Sequence, residues 1–499
     1  MNFDKDLRSI QEARVLAEYG HKAAMALSEL TEEQIDKIIR NMARVGEEHA
    51  LELAKMAVEE TGFGIVGDKV FKNHMASGML YESVKDMKTQ GILKEDKANK
   101  TVEIATPVGL IMGIVPSTNP TSTAIFKSII AVKARNSIVF SPHPSARKCT
   151  LRAAELMQQA AEEAGAPPST IGCLSTLSME ATNELMHHKH VKLIIATGGP
   201  AMVKAAYSAG KPAIGVGAGN SPAYIERTAD VKSAVEKIMA SKTFDNGTVC
   251  ASEQSIICEE CNEKEVIDEL KKQGAYFMND EETSKVCKLL FKNGHSMNAK
   301  YVAKKPQVIA KAAGFEVNDS IRLLVGRQHG VGDNDPLSHE KLTTVIAFYT
   351  VEDWKEACQL SIDLLQNGIG HTMSIHTEDP EIALKFASKP ASRILVNTGG
   401  TQGGTGVSTG LAPSFTLGCG TIGGSSVSEN VTPMHLINKK VLAYGIKDVT
   451  RLTEEDEIFK KYHSNENGCE KRSDDSDEKI SITVDELSSI IEGIVKAMK

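Results

Sequence analysis

Apolar positions along the first 95 residues recur at helical spacing. Behind Thr31, the residues Ile35, Ile38, Ile39 and Met42 fall on one face, and Thr31 with Gln34 three positions on predicts a capped helix start. Residues 101–105 alternate and predict a short strand. From residue 106 the pattern changes. Residues 108–115 and 138–140 are β-rich runs, with a helix predicted over 121–134 between them. Residues 146–164 read as a helix that stops at Gly165, with Pro167 and Pro168 beyond. Residues 192–196 read as a buried strand, and 201–208 as a helix ending at Gly210. Strand–helix alternation at this spacing predicts a mostly parallel sheet covered on both faces. A second α/β section runs from about 225 to 424. Its last stretch, 397–424, is dense in Gly, Thr and Ser, the composition of loops that line sites.

The pattern breaks at residues 451–480, which are polar and highly charged and read as a flexible linker. It resumes at Thr483 with Glu486, a capping box. Leu487, Ile490, Ile491, Ile494, Val495 and Met498 then form a single apolar stripe. A helix of about four turns on a polar tether is not stable alone. It either folds back on its own domain or docks in a partner's groove, and the long linker favours docking.

Composition narrows the classes. The chain has 499 residues, 41% hydrophobic and 24% charged, with a net charge of −8. That is a globular protein of about three domains, without the basic field that nucleic acid binding requires. Asp4, Lys5, Asp6 and Arg8 exclude a secretory signal at the N-terminus. The strongest apolar run, 108–115, is too short to span a bilayer, which takes about 20 residues. Nine scattered cysteines with no export signal predict reduced thiols in a cytoplasmic compartment.

Four local patterns carry possible chemistry. Cys250 follows a Gly-containing turn and precedes a β-rich run, a placement that suits a nucleophilic thiolate and equally a small buried side chain. The strand at 192–196 leads through Thr197, Gly198, Gly199 and Pro200 into a helix, an arrangement suited to phosphate, although the G-x-G-x-x-G fingerprint is absent. Gly215, Gly217 and Gly219 form a tight cluster that is either a packing turn or part of a site. Cys258 and Cys261 have metal or redox spacing, but no second pair follows, and His187, His188 and His190 read as a solvated turn. No metal site is predicted.

Together these stretches resemble one family. Residues 113–127 (Gly-Ile-Val-Pro-Ser-Thr-Asn-Pro-Thr-Ser-Thr-Ala-Ile-Phe-Lys), 140–148, 196–208, 215–222 and 242–254 (Lys-Thr-Phe-Asp-Asn-Gly-Thr-Val-Cys-Ala-Ser-Glu-Gln) are similar, in order, to the CoA-acylating aldehyde dehydrogenases. The likeness covers about residues 10–450. It extends to the ethanolamine- and propanediol-utilisation enzymes and to the aldehyde dehydrogenase half of bifunctional aldehyde–alcohol dehydrogenases.

The resemblance implies an α/β fold with cofactor-binding and catalytic domains and a small β oligomerisation arm. It implies an NAD/CoA-binding domain over 1–224 with an arm segment at 93–105, and a catalytic domain over 225–427. The arm and its return would take 428–450. It implies Cys250 as the nucleophile, with Asn119 and the Cys250 backbone N–H as oxyanion donors. Ser141, Pro142 and His143 would lie under the adenosine, Thr197, Gly198 and Gly199 at the pyrophosphate, and Glu340 at the nicotinamide ribose. Val216 and Gly217 stand where hydrolytic relatives carry their water-activating Glu segment. With Val216 there, a thioester has no positioned base and awaits the CoA thiol.

The implied reaction is aldehyde plus CoA and NAD to acyl-CoA and NADH, on a short-chain aldehyde such as acetaldehyde or propionaldehyde. The implied setting is a homo-oligomer, dimer or dimer of dimers, in the cytoplasm inside a bacterial microcompartment. There 481–499 would serve as an encapsulation peptide that binds a shell or cargo protein, with neither membrane nor nucleic acid as partner. A hydrolytic aldehyde dehydrogenase, opposed by Val216, and a non-catalytic cargo protein, opposed by Cys250 and Asn119, are the alternatives.

Overall fold

A computed structural model describes residues 4–292, 296–448 and 456–463. The helices of the first 95 residues are present, and Thr31 and Gln34 form the reciprocal capping box at the start of Glu32–Glu48. Two parallel sheets follow. The first has five strands in the order Ile171–Cys173, Ser137–Pro142, Leu110–Val115, Val191–Thr197 and Ala213–Val216, all pairs parallel. The second has seven, in the order Ala275–Met278, Leu323–Arg327, Val345–Val351, Glu253–Glu259, Ser221–Ile225, Gly370–His376 and Ala391–Val396, again all parallel.

Both sheets are apolar on both faces because helices cover both. In the first, Ile111, Ile138 and Ile195 pack into one core with the helices Glu32–Glu48 and Pro120–Lys133. Their neighbours Leu110, Met112, Val139 and Ile194 face a second core on the other side. This is the period-two alternation of a strand acting on a continuously hydrophobic run. The helix Pro120–Lys133 is buried at every position, so it has no polar face for a sequence pattern to display.

Three boundaries differ from the sequence expectation. Ser221–Ile225 is already an inner strand of the seven-stranded sheet, so the chain changes sheets just before it rather than at 224/225. Residues 428–436, expected in the arm, instead close the first core: Val431 and Leu436 are buried in it, and Asn136 donates to the Leu436 carbonyl at 2.8 Å. Only Ile437–Ala443 forms an arm strand, at the outside of a three-stranded sheet with Gly91–Asp96 and Thr101–Pro107. Within 451–480, read as linker, Glu457–His463 is a short helix. The helix expected over 481–499 lies outside the described residues.

The chain divides into two compact units. Met1–Lys94 with Val102–Val441 holds both parallel sheets. Glu95–Thr101 with the described residues from Leu442 onward is the smaller, in which Tyr444 N donates to the Lys100 carbonyl at 3.1 Å. Among the described residues no helix is long and apolar enough to cross a membrane.

Candidate active site

The turn before Cys250 is strained. Asp245 and Asn246 take left-handed backbone conformations with φ of 48° and 54°, which cost non-glycine residues of order 1–3 kcal/mol each and persist only where the surroundings enforce them. Here the enforcement is electrostatic. The buried Asp245 carboxylate accepts from Lys69 Nζ (2.9 Å), Lys72 Nζ (2.5 Å), Ile65 N (2.7 Å) and Thr248 Oγ1 (2.8 Å). Burial opposes its charge, yet Lys72 and Lys69 hold the Asp245 carboxyl below the usual carboxylate range. The Lys72 ammonium is pushed down to about 8 by burial, against the pull of Asp245. Gly247 is required in this turn: its φ is +77°, and a Cβ would stand 2.8 Å from the Thr343 carbonyl oxygen.

From this turn Cys250 faces a cavity of about 280 Å³. Its walls include Asn119, Gly198, Val216, Gly217, Thr248 and Glu340. Asn119 sits at the start of the helix Pro120–Lys133. Its Oδ1 accepts from Lys72 Nζ at 2.6 Å, and its Nδ2 is 3.2 Å from Thr118 Oγ1 and 3.5 Å from the Thr248 carbonyl. Glu340 Oε1 accepts from Gly219 N at 3.0 Å, and burial pushes its carboxyl up to about 7. Gly219 passes so close to the Cys250 carbonyl oxygen that a Cβ would stand 1.9 Å from it. The glycine cluster at 215–219 is thereby part of the site rather than a packing turn alone.

The geometry adds a residue that the sequence reading missed. His371 Nε2 lies 3.1 Å from Cys250 Sγ, across 121 residues, and His371 Nδ1 is 2.8 Å from Thr372 Oγ1. Burial, with the nearby Arg393 guanidinium, holds this imidazole down at about 3 and so keeps it neutral. In the tautomer whose Nδ1–H donates to Thr372 Oγ1, Nε2 is the acceptor that faces the Cys250 S–H. Burial, and then the Glu340 charge, push the Cys250 thiol up to about 12, so the group is a thiol until its proton is taken. No spacing rule connects His371 to Cys250. The signal available was its place among Gly368, Ile369 and Gly370, where a Cβ on Gly370 would stand 2.0 Å from the Cys419 carbonyl oxygen.

A second cleft, of about 730 Å³, adjoins the first and shares Pro116, His143, Thr197, Gly198 and Gly199 with it. Ser141 and Pro142 also line it. All eleven residues singled out from the sequence thus lie around two connected cavities. The cleft opens at the carboxyl ends of the strands Leu110–Val115 and Val191–Thr197, where the strand order reverses, the place where open α/β sheets bind ligands. A Cβ on Gly198 or Gly199 would meet nothing within 4 Å, and Gly199 caps the helix Pro200–Ser208. Free N–H groups and open space suit a pyrophosphate, so these residues fit a dinucleotide.

The remaining motifs lie elsewhere. Cys258 is buried and Cys261 exposed. His190 is not a free turn residue: its ring stacks on His21 at 3.9 Å, and its Nε2 is 3.2 Å from Glu18. Among the described residues no cluster of three or more His, Cys, Asp or Glu side chains is arranged to hold a metal ion.

Fold and site together define an α/β enzyme with a nucleotide cleft opening onto a half-buried cysteine. The chain belongs to the aldehyde dehydrogenase family, whose sequence profile matches residues 8–305. It is 48% identical over 442 residues to the bifunctional aldehyde–alcohol dehydrogenase of Escherichia coli K12, a match that covers 87% of this chain and 50% of that protein. The chain therefore spans about half the length of that curated relative. An acetylating aldehyde dehydrogenase from Geobacillus thermoglucosidasius is 52% identical and superposes with a TM-score of 0.88, covering 90% of this chain and 99% of that one. A propionaldehyde dehydrogenase from Rhodopseudomonas palustris, solved with bound CoA and an acylated cysteine, is 28% identical with a TM-score of 0.79, covering 87% and 97%.

Proposed function

We infer that the protein is a CoA-acylating aldehyde dehydrogenase, converting a short-chain aldehyde, CoA and NAD to acyl-CoA and NADH. The observation that carries this is the cavity that Cys250, Asn119 and Glu340 line beside a nucleotide cleft, with Val216 in its wall and the neutral, buried His371 at 3.1 Å from the Cys250 sulfur. The Cys250 sulfur attacks the aldehyde carbon and its proton is released to solvent, with His371 Nε2, 3.1 Å from Sγ, as the hydrogen-bond acceptor that orients the thiol. The carbonyl oxygen becomes an oxyanion that Asn119 Nδ2–H and the Cys250 N–H receive, giving a thiohemiacetal. NAD, held by Ser141, Pro142, His143, Thr197, Gly198, Gly199 and Glu340, supplies the hydride acceptor when bound. Loss of hydride from the carbon leaves a thioester on Cys250. The CoA thiol then attacks the acyl carbon, the Cys250 C–S bond breaks, and Cys250 leaves as a thiol with the proton that the CoA thiol gave up.

Glu340 is the one carboxylate among the described residues lining this cavity, and Gly219 N–H ties down its Oε1. Val216 offers no base, so water is not activated at the thioester.

Short, apolar aldehydes are favoured by a gap of about 10 Å³ walled by Phe71, Met75, Phe244, Val249 and Phe415. It shares Val249, Thr405 and Phe415 with the thiol cavity. The arm strand Ile437–Ala443 is exposed beyond Ile437 and offers an outer sheet edge to a second copy of the chain. Residues 481–499 would carry the enzyme into a microcompartment as an encapsulation peptide. The deciding experiment is NADH formation from acetaldehyde and propionaldehyde with and without CoA. The reading requires acyl-CoA in the first case and almost no turnover in the second; free acid formed without CoA would make the enzyme hydrolytic.

A further inference from the structure

Lys72 lies outside the motifs that the sequence brought forward, yet it is the side chain that touches the Asn119 amide oxygen. It is 1% exposed, and its three ammonium hydrogens are all placed, on Asn119 Oδ1 (2.6 Å), Asp245 Oδ2 (2.5 Å) and Thr248 Oγ1 (2.9 Å). An ammonium has donors and no acceptor, so the amide must turn its oxygen to Lys72 and its NH₂ away from it. That NH₂ makes only long contacts, 3.2 Å to Thr118 Oγ1 and 3.5 Å to the Thr248 carbonyl, on the wall of the cavity that holds Cys250. A positive charge on the oxygen side of an amide also draws electron density from its nitrogen, which makes the N–H a stronger donor in a low-dielectric site.

We propose that Lys72 is the positioning residue of the oxyanion site, fixing which way the Asn119 amide faces and strengthening its N–H as negative charge develops on the substrate oxygen. The proposal rests on the reading of Asn119 as the oxyanion donor. Lys69 supplies the contrast. It donates to the same Asp245 oxygen at 2.9 Å and to the Thr118 carbonyl at 2.9 Å, whereas Lys72 donates to the Asn119 side chain at 2.6 Å. A purely structural ion pair would make the two lysines equivalent. A positioning role makes them different.

The test is a double-mutant cycle on the full-length enzyme. It measures kcat and KM for aldehyde oxidation with CoA, NAD affinity, and the rate of Cys250 alkylation by iodoacetamide. Lys72→Met is expected to lower kcat about 10- to 100-fold, less than the roughly 10²–10³ of losing the oxyanion donor itself, because the amide is misdirected rather than removed. Aldehyde KM, NAD affinity and alkylation rate should stay within about threefold of the parent. In the Asn119→Ala background Lys72→Met should cost less than about threefold more, because the group it positions is gone. Lys69→Met should lose less than about threefold in kcat.

Independent, multiplying losses in the double variant, or equal losses in the two lysine variants, overturn the proposal and leave Lys72 as a fold-holding charge. If Lys72→Met does not fold, the same cycle with Lys72→Gln, which keeps an NH₂ donor group and drops the charge, is read by the same criteria. Parental turnover in Asn119→Ala alone would instead remove the oxyanion reading itself. A slow Asn119→Ala beside a fast Lys72→Met would sink only the role of Lys72.

Discussion

The nucleotide cleft and the thiol cavity adjoin, yet they are built by opposite means. The cleft is made of backbone: open glycines at 198 and 199, a helix start, and short loops at the ends of two adjacent strands. The thiol cavity is made of side chains, the half-buried Asn119, Cys250 and Glu340 in its wall and the buried Lys72, Asp245 and His371 behind them, brought together from distant parts of the chain. A cleft of backbone groups binds a large ligand without much cost to the fold. A cavity of buried charges is expensive to form, because each charge must be paired, but it presents fixed dipoles where a reaction develops charge. Binding and chemistry are thus expected to fail separately.

The largest effect should come from Cys250→Ser. It should abolish aldehyde oxidation and acyl-CoA reduction, since a serine hydroxyl is a poor nucleophile beside so weakly basic an imidazole. NAD titration should be unchanged; loss of NAD affinity in this variant would mean that the two regions are not separable. Asn119→Ala should lower turnover by roughly 10²–10³, again with NAD affinity kept, and near-parental turnover would take Asn119 out of the mechanism. The converse variant is Gly198→Val, where nothing obstructs a side chain until the ligand arrives. NAD affinity should fall by about tenfold or more, the effect of about 1.4 kcal/mol, while iodoacetamide alkylates Cys250 at the parental rate. Slowed alkylation there would show that the cleft shapes the thiol site.

Val216→Glu sharpens the comparison from the boundary between the regions, since Val216 ends a strand of the first sheet and lines the thiol cavity. The added carboxylate should release free acid in the absence of CoA, at a rate below that of acyl transfer. A folded variant with no hydrolysis would mean that something other than a missing base protects the thioester.

The same contrast explains what was legible in the sequence. Residues 113–127, 140–148 and 196–208 each carry a strand, a loop and a helix start in one stretch, so the cleft was readable from local pattern and resemblance. Asn119, Cys250 and Glu340 came from the resemblance as well. His371 and Lys72 did not, because each acts through a partner far along the chain and neither stands in a distinctive local motif. The helix Pro120–Lys133 was placed within a residue despite its complete burial, because a strand precedes it and another follows. The sheet change near 220 was misplaced by a few residues because Ser221–Ile225, with Ser and Pro at its start, is buried at every position yet reads as a loop. The segment 428–436 was misassigned because its few apolar residues, Val431 and Leu436, show no periodicity until the core they close is known.

The smallest effect on chemistry is expected at the C-terminus, and it separates catalysis from placement. The sequence predicts a helix opened by Thr483 and Glu486, on which Leu487, Ile490, Ile491, Ile494, Val495 and Met498 would form one stripe. Its polar positions include Asp485, Glu486 and Glu492 against Lys496 and Lys499, so an anionic membrane is a poor partner and a protein groove a better one. No residue of the two cavities lies beyond Leu417. Deletion of 465–499 should therefore leave specific activity within about twofold while abolishing recruitment to assembled shells. Ile491→Asp in the full-length chain should do the same, since it sets a charge in the middle of a stripe that docking must desolvate. Recruitment that survives both changes would remove the docking role. Activity lost on deletion would return the helix to its own domain, and the tail would then belong to the machinery it is expected only to deliver.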